Sequence, residues 1–236
     1  MNPVRSISGV VFDLDGVIIE SEHLWEESWR AFCVGHGRGW AHADTLAVQG
    51  MSAPEWSAFV ARHVGEPDTA AQVTDFCVGY LIDRIRAGDG RMIEGARDLL
   101  EGVAARVPVA LATSAPRRAI DAVLEHHSLA SLFTATVSSE EVARGKPSPD
   151  VYLEAISRLG VDPLHGLGIE DSSNGIRSAH AAGLLVVAIP NPTYPPHPDA
   201  AALADHIAVD HVDALQFILA QLDAAATSAQ TEKETP

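Results

Sequence analysis

Cysteine is nearly absent: Cys33 and Cys77 are the two in 236 residues, and no Cys-x-x-Cys pair occurs. That excludes a disulfide framework and a thiolate zinc site, and it fits a reducing compartment. Long apolar runs are missing too. None approaches the roughly 18 residues that a membrane span requires, and Met1 to Gly9 lacks the apolar core of an export signal. A cytoplasmic protein with no membrane partner is the expectation. Basic residues are scarce, 16 Lys and Arg against 32 Asp and Glu, and the net charge of −16 repels nucleic acid and anionic membrane surfaces. A small phosphorylated ligand remains compatible with that charge, because a metal ion and a few local cations can overrule the global field. The sequence carries no Gly-x-Ser-x-Gly, no His-Glu-x-x-His and no Gly-x-x-x-x-Gly-Lys-[Ser/Thr], so three common hydrolase and nucleotide-binding signatures are out.

What is present is a chain with 47% hydrophobic residues, long enough for one large domain or a core with an insertion. Gly9 to Phe12 is a short run rich in β-branched residues that ends in Asp13, the pattern of a strand buried on both faces. Similar runs follow at 107–113, 133–138, 166–170 and 184–189, with a weaker one at 206–209. Helical periodicity fills the intervals at 95–106, 116–127, 149–159 and 173–182, the third with Ser148 as its N-cap and the fourth closed by Gly183. Strands alternating with helices predict a doubly wound parallel α/β sheet. The stretch between the first strand and Gly95 breaks the rhythm. It reads as an inserted α-helical cap with helices at 21–36, 54–64 and 69–87, and it holds all four tryptophans, Trp25, Trp29, Trp40 and Trp56. The expected division is a core of 1–18 and 93–223, a cap of 19–92, and a structureless tail of 224–236.

Asp13 and Asp15 leave the first strand at the carboxyl edge of the sheet, where ligands bind in open α/β folds. An isolated Asp-x-Asp-Gly is more often a turn or a cap. Here three further strand ends also carry polar groups: Thr113 and Ser114, then Lys146, then Glu170 and Asp171. Like charges about 4 Å apart repel by roughly 4 kcal/mol at an effective dielectric near 20, so four converging carboxylates need a cation. All-oxygen donors without thiolates or paired histidines favour Mg²⁺ over Zn²⁺.

The stretches VVFDLDGVIIESE, LATSAP, RGKPSPDVY and GIEDSSNGI, in this order, resemble the four signatures of the haloacid dehalogenase-like hydrolases, in the branch of β-phosphoglucomutase and the small sugar phosphatases. The resemblance spans nearly the whole chain. It implies a Rossmann-like core with a mobile helical cap, and a Mg²⁺-dependent phosphatase acting on a small phosphate ester such as a sugar phosphate. It casts Asp13 as nucleophile, Asp15 as acid/base, Thr113, Ser114 and Lys146 as phosphoryl binders, and Asp13, Asp15, Glu170 and Asp171 as the metal site. Asp15 disfavours carbon–halogen cleavage, since the dehalogenases of this superfamily lack it.

A mutase and a silent binding module are the alternatives, and intact Asp13, Asp15, Lys146 and Asp171 oppose the second. β-Phosphoglucomutases place near Trp25 a histidine that restrains Asp15, and an arginine after the turn that here reads Gly50-Met51-Ser52-Ala53; both are missing, which favours hydrolysis. Glu20 stands where close relatives carry Asp. Cap candidates for substrate contact are Glu20, Ser21 and Trp25, with Arg30, Gln49, Arg62 and Arg91 as further polar groups. Trp25 and Trp29 share a helix face, and core packing is the default for both. A monomer is expected.

Overall fold

The computed structural model describes residues 6–48 and 51–233, with side chains as far as Ala224. Six strands form one sheet: β1 (Gly9–Phe12), β2 (Val109–Thr113), β3 (Ala135–Ser138), β4 (Gly166–Glu170), β5 (Leu185–Ala188) and β6 (His206–Ile207). Their order is β3-β2-β1-β4-β5-β6 and every pairing is parallel, the doubly wound α/β topology that the alternation predicts. Side chains alternate across it. Val10 and Phe12 enter one buried cluster and Val11 the other, and Leu111 and Ala112 divide in the same way. Burial on both faces explains why these strands read as continuous apolar runs.

Against the first face pack α5 (Ala96–Ala104), α6 (Arg117–His126) and α10 (His211–Lys233); against the second pack α7 (Asp150–Arg158) and α8 (Ser173–Ala181). A one-turn α9 (Pro198–Ala201), which the periodicity does not announce, precedes β6. Ser148 is not the cap expected of it. The helix starts at Asp150, and the Ser148 hydroxyl donates to the Asp150 carboxylate at 2.6 Å. The tail is corrected too: the backbone stays helical through 224–233, and the last three residues lie outside the described ones. Three consecutive alanines followed by Gln, Glu and Lys are good helix formers, and propensity prolongs the helix where apolar periodicity has stopped.

Between β1 and α5 the chain forms α1 (Glu22–Gly35), α2 (His42–Val48), α3 (Ala53–Val64) and α4 (Ala70–Arg86). α2 carries too few apolar positions to be read from sequence. The chain enters and leaves this insertion along two adjacent segments, where Ile93 N–H donates to the Ile18 carbonyl at 3.0 Å and Glu20 N–H to the Arg91 carbonyl at 2.9 Å. The apolar cluster under the first sheet face runs on without interruption into the insertion. Arg118 on α6 reaches Asp75 on α4 at 2.8 Å. The insertion therefore lies closed over the carboxyl edge of the sheet.

Candidate active site

In the strand order, β1 and β4 are the neighbours at which the winding reverses, and the crevice outside their carboxyl ends is where this topology binds ligands. Phe12 pairs with Ile169, so Asp13 emerges beside Glu170 and Asp171. Carboxylate oxygens of these three buried residues lie within 4.8 Å of one another. Lys146 arrives from the loop before α7 and places Nζ 2.7 Å from Asp13 Oδ1 and 2.6 Å from Glu170 Oε1. Glu170 is further pinned by the Tyr152 hydroxyl at 2.8 Å and by the amides of Asp171 and Ser172 at 3.1 and 3.2 Å. Two glycines make room for this. A Cβ on Gly175 would stand 1.8 Å from Glu170 Cδ, and one on Gly16, whose φ is +76°, would stand 2.0 Å from Asp171 Oδ2.

One ammonium does not balance three buried carboxylates. Burial, only partly offset by Lys146 and reinforced by Glu170 and Asp15, raises the Asp13 pKa to about 8. Burial with Glu170 and Asp13 alongside likewise lifts Asp171 well above the carboxylate range. Burial opposes the Lys146 charge, but Asp13 and Glu170 outweigh it and the ammonium is held more firmly than usual. The cluster thus has room in its charge for a further cation. Its all-oxygen donors fit Mg²⁺, with Asp13, Glu170 and Asp171 as the residues that would hold it.

The Asp15 carboxylate turns elsewhere, towards the insertion. Its Oδ1 accepts from the Ser21 hydroxyl and, at 3.2 Å, from the Trp25 indole N–H. Burial raises its pKa while these donors pull it back. Ser21 is the residue before α1, and its hydroxyl serves Asp15 rather than capping the helix. Thr113 is buried at the end of β2, its Oγ1 accepting from the Ala115 amide at 3.0 Å. The neighbouring Ser114 hydroxyl is buried with no partner, an orphan of the kind a bound oxyanion satisfies.

These residues floor a cavity of about 110 Å³ whose other walls are Glu22, Trp25, Trp29, Thr45, Val48, Met51, Trp56 and Tyr194. Trp25, Trp29 and Trp56 form one aromatic group, with ring centroids 5.6 to 6.3 Å apart. Ser52, at the start of α3, packs against Gly145 next to Lys146, so the insertion roofs the site directly.

A profile of the haloacid dehalogenase-like hydrolases matches residues 7–183. The chain belongs to that family. It is 29% identical to hexitol phosphatase B of Escherichia coli over 214 residues, 81% of this chain and 87% of that one. It is 31% identical over 199 residues to a bifunctional riboflavin kinase/FMN phosphatase of Arabidopsis thaliana, covering 80% of this chain and half of that protein's length. Among solved structures, CbbY from Rhodobacter sphaeroides in complex with phosphate superposes with a TM-score of 0.77 at 25% identity, over 87% of this chain and 95% of that one. A β-phosphoglucomutase from Clostridium difficile gives the same TM-score at 22% identity over 94% and 99%, and shares the fold.

In this haloacid dehalogenase-like hydrolase the structure gathers Asp13, Asp15, Thr113, Ser114, Lys146, Asp171, Ser21 and Trp25 around one cavity, with Glu170 directly behind Lys146. It does not bring in Glu20, which is exposed in the linker, and of the four carboxylates read as a metal site it clusters three and leaves out Asp15. Arg30 is tied to Glu26, Arg62 and Arg91 are exposed, and Gln49 lies outside the described residues. Sequence reasoning missed Glu22, Tyr152, Asn191 and Tyr194. Glu22 and Tyr152 stand inside the recognised stretches, one residue after Ser21 and six after Lys146, so their position was the available signal. Glu22 accepts from Asn191 Nδ2 at 2.7 Å, and burial next to Asp15 raises its pKa to about 7.

Proposed function

We propose that this protein is a Mg²⁺-dependent phosphatase that hydrolyses the phosphate monoester of a small metabolite, of the sugar-phosphate kind, through an aspartyl-phosphate on Asp13. The observation that carries it is the Lys146 ammonium set between Asp13 and Glu170 at the sheet's switch point, because a carboxylate attacking a dianionic phosphoryl group needs cations on both sides of it. Asp13, Glu170 and Asp171 would hold Mg²⁺, which would supply the second of these as a counter-charge for the phosphoryl group. An Asp13 carboxylate oxygen attacks phosphorus, the ester P–O bond breaks, and Asp15 gives its proton to the departing oxygen. Asp15, now ionised and held by Ser21 and Trp25, takes a proton from the water that attacks phosphorus next, releasing phosphate and restoring Asp13. Thr113 and the unpartnered Ser114 hydroxyl, with the Ser114 amide, are the groups for the phosphoryl oxygens. The cap insertion excludes bulk water while the acyl phosphate exists.

Phosphatase names among relatives such as hexitol phosphatase B agree with this reading. The mutase alternative is revised in one respect. No histidine stands at Trp25, but the Trp25 indole N–H itself bonds Asp15, so a restraint on Asp15 does not separate the two activities. What still opposes a mutase is the lack of a cation for a second phosphate in the described upper walls of the cavity. The test is phosphate release from an aryl phosphate in Mg²⁺, lost in Asp13→Asn and on chelation. A sugar 1-phosphate converted to its 6-phosphate without free phosphate would overturn it.

A further inference from the structure

The half of the cavity away from Asp13 has an unusual chemistry for a protein that binds phosphate esters. Lys146 is the one cation among the described residues lining the whole cavity; it lies at the Asp13 end, and both its close contacts are to buried carboxylates there. Above the floor the walls are the rings of Trp25, Trp29 and Trp56 with Val48, Met51, Thr45 and Tyr194, while the Glu22 carboxylate lies low in the chamber, close to Asp171. Arg30, on the same helix as Trp25, turns its guanidinium to Glu26 and leaves the chamber uncharged by it. Indole N–H groups are unevenly used: Trp25 spends its on Asp15 and Trp40 on Thr45, while that of Trp29 is buried with no partner.

Resting on the phosphatase reading above, we propose that the ester's leaving group is an uncharged ring-bearing group, laid with its C–H or aromatic face on Trp25 and Trp56 and offering an acceptor to the Trp29 N–H. Esters that carry a second anion, a carboxylate or another phosphate, are rejected. Aromatic walls reward flat or C–H-rich surfaces and cost nothing to leave dry. A second anion enters a chamber whose described walls, Lys146 apart, offer it no cation, and a charge desolvated without a partner is costly. The specificity is therefore set as much by what repels as by what attracts.

Matched esters test this on the whole chain in saturating Mg²⁺. Phenyl phosphate is expected to exceed 4-carboxyphenyl phosphate in kcat/KM by at least 30-fold, and cyclohexyl phosphate to exceed glycerol 3-phosphate. Met51→Arg, which sets a cation in the upper wall, is expected to narrow the first ratio at least tenfold, and a ratio does not depend on how much of the variant folds. Acetyl phosphate, whose leaving group is too small to reach the aromatic wall, reads the phosphatase alone. No hydrolysis of it would defeat the underlying phosphatase reading. Hydrolysis of it together with equal use of the carboxylated and plain aryl esters, or preference for an acyclic acid such as phosphoglycolate, would overturn the inference about the leaving group and leave the phosphatase standing.

Discussion

Replacing Lys146 with methionine removes the charge and keeps much of the volume, so it isolates the electrostatics of the site. The ammonium is 4% exposed and lies 2.7 and 2.6 Å from two buried carboxylates. At an effective dielectric near 20 each contact has a gross Coulomb energy of about 6 kcal/mol, most of it offset by the desolvation of all three groups. What the substitution exposes is the remainder: the Glu170 carboxylate left buried without its cation, Asp13 keeping most of its proton at pH 7.5 without metal, typically a loss of about 3–5 kcal/mol. For a chain of this size roughly 2–4 °C accompanies each kcal/mol, so Tm in metal-free buffer at pH 7.5 should fall by roughly 6–20 °C. Mg²⁺ should then raise the Tm of the variant more than that of the wild type, because the ion meets more uncompensated charge. Catalysis should fall by about 10²-fold or more, through the lost stabilisation of phosphoryl charge. The assay is thermal unfolding of both proteins with chelator and with Mg²⁺, beside phosphate release. A variant that melts within 2 °C of wild type without metal and gains no more from Mg²⁺ would refute the charge balance on which the site is built.

Asp13→Asn should leave the fold intact and reduce phosphate release to background, read by a phosphate assay beside circular dichroism. Gly175→Ala puts a Cβ where Glu170 Cδ now stands, so it should cost about 1–3 kcal/mol by overpacking and weaken Mg²⁺ binding at least tenfold, measured by calorimetry. Trp25→Phe keeps the aromatic wall and removes the N–H on Asp15. A hydrogen bond to a charged group is worth about 1.5–3 kcal/mol, so the alkaline limb of kcat/KM, where Asp15 must be protonated as acid, should move up by roughly one to two pH units; an unmoved limb would sink the assignment. The raised pKa of Asp13 gives the metal-free protein a definite pH dependence. With a folded value of about 8 against 3.8, the folded state holds the extra proton between them, so this contribution is full below pH 3.8 and drains away as pH rises to 8. Metal-free stability should fall over that window by up to about 1.4 kcal/mol per unit from this group, and Mg²⁺ should stabilise more at pH 8 than at pH 5.

The core was legible because the central strands β1, β2, β4 and β5 are buried along their whole length and so write themselves as apolar runs, with the site residues at the carboxyl ends of the first three. Phe12 then Asp13, and Ile169 then Glu170, are the same sentence twice, and the sheet places them side by side. Thr113 and Lys146 were found by the same reading of strand and loop ends. The insertion was legible only as helical. Which face of α1 meets the core depends on how four helices pack, and no periodicity states that, so Trp25 could be read as packing or as site. It is both: its ring joins Trp29 and Trp56, and its nitrogen holds Asp15.

Glu22 and Tyr152 show where residue-by-residue reasoning stops. Each follows a candidate site residue along the chain, but each acts on a partner that only the fold supplies, Asn191 for the first and Glu170 for the second. Tyr152 lies in the first turn of α7 because the loop that delivers Lys146 ends there, so the residue that steadies Glu170 and the cation that neutralises it come from one short segment. The two cannot be moved independently: a change in that loop that displaces Lys146 also shifts the hydroxyl behind Glu170. Charge and position in this site are therefore coupled through the backbone, and Tyr152→Phe should weaken the hold on Glu170 while leaving Lys146 in place, a smaller loss of Mg²⁺ affinity than Gly175→Ala.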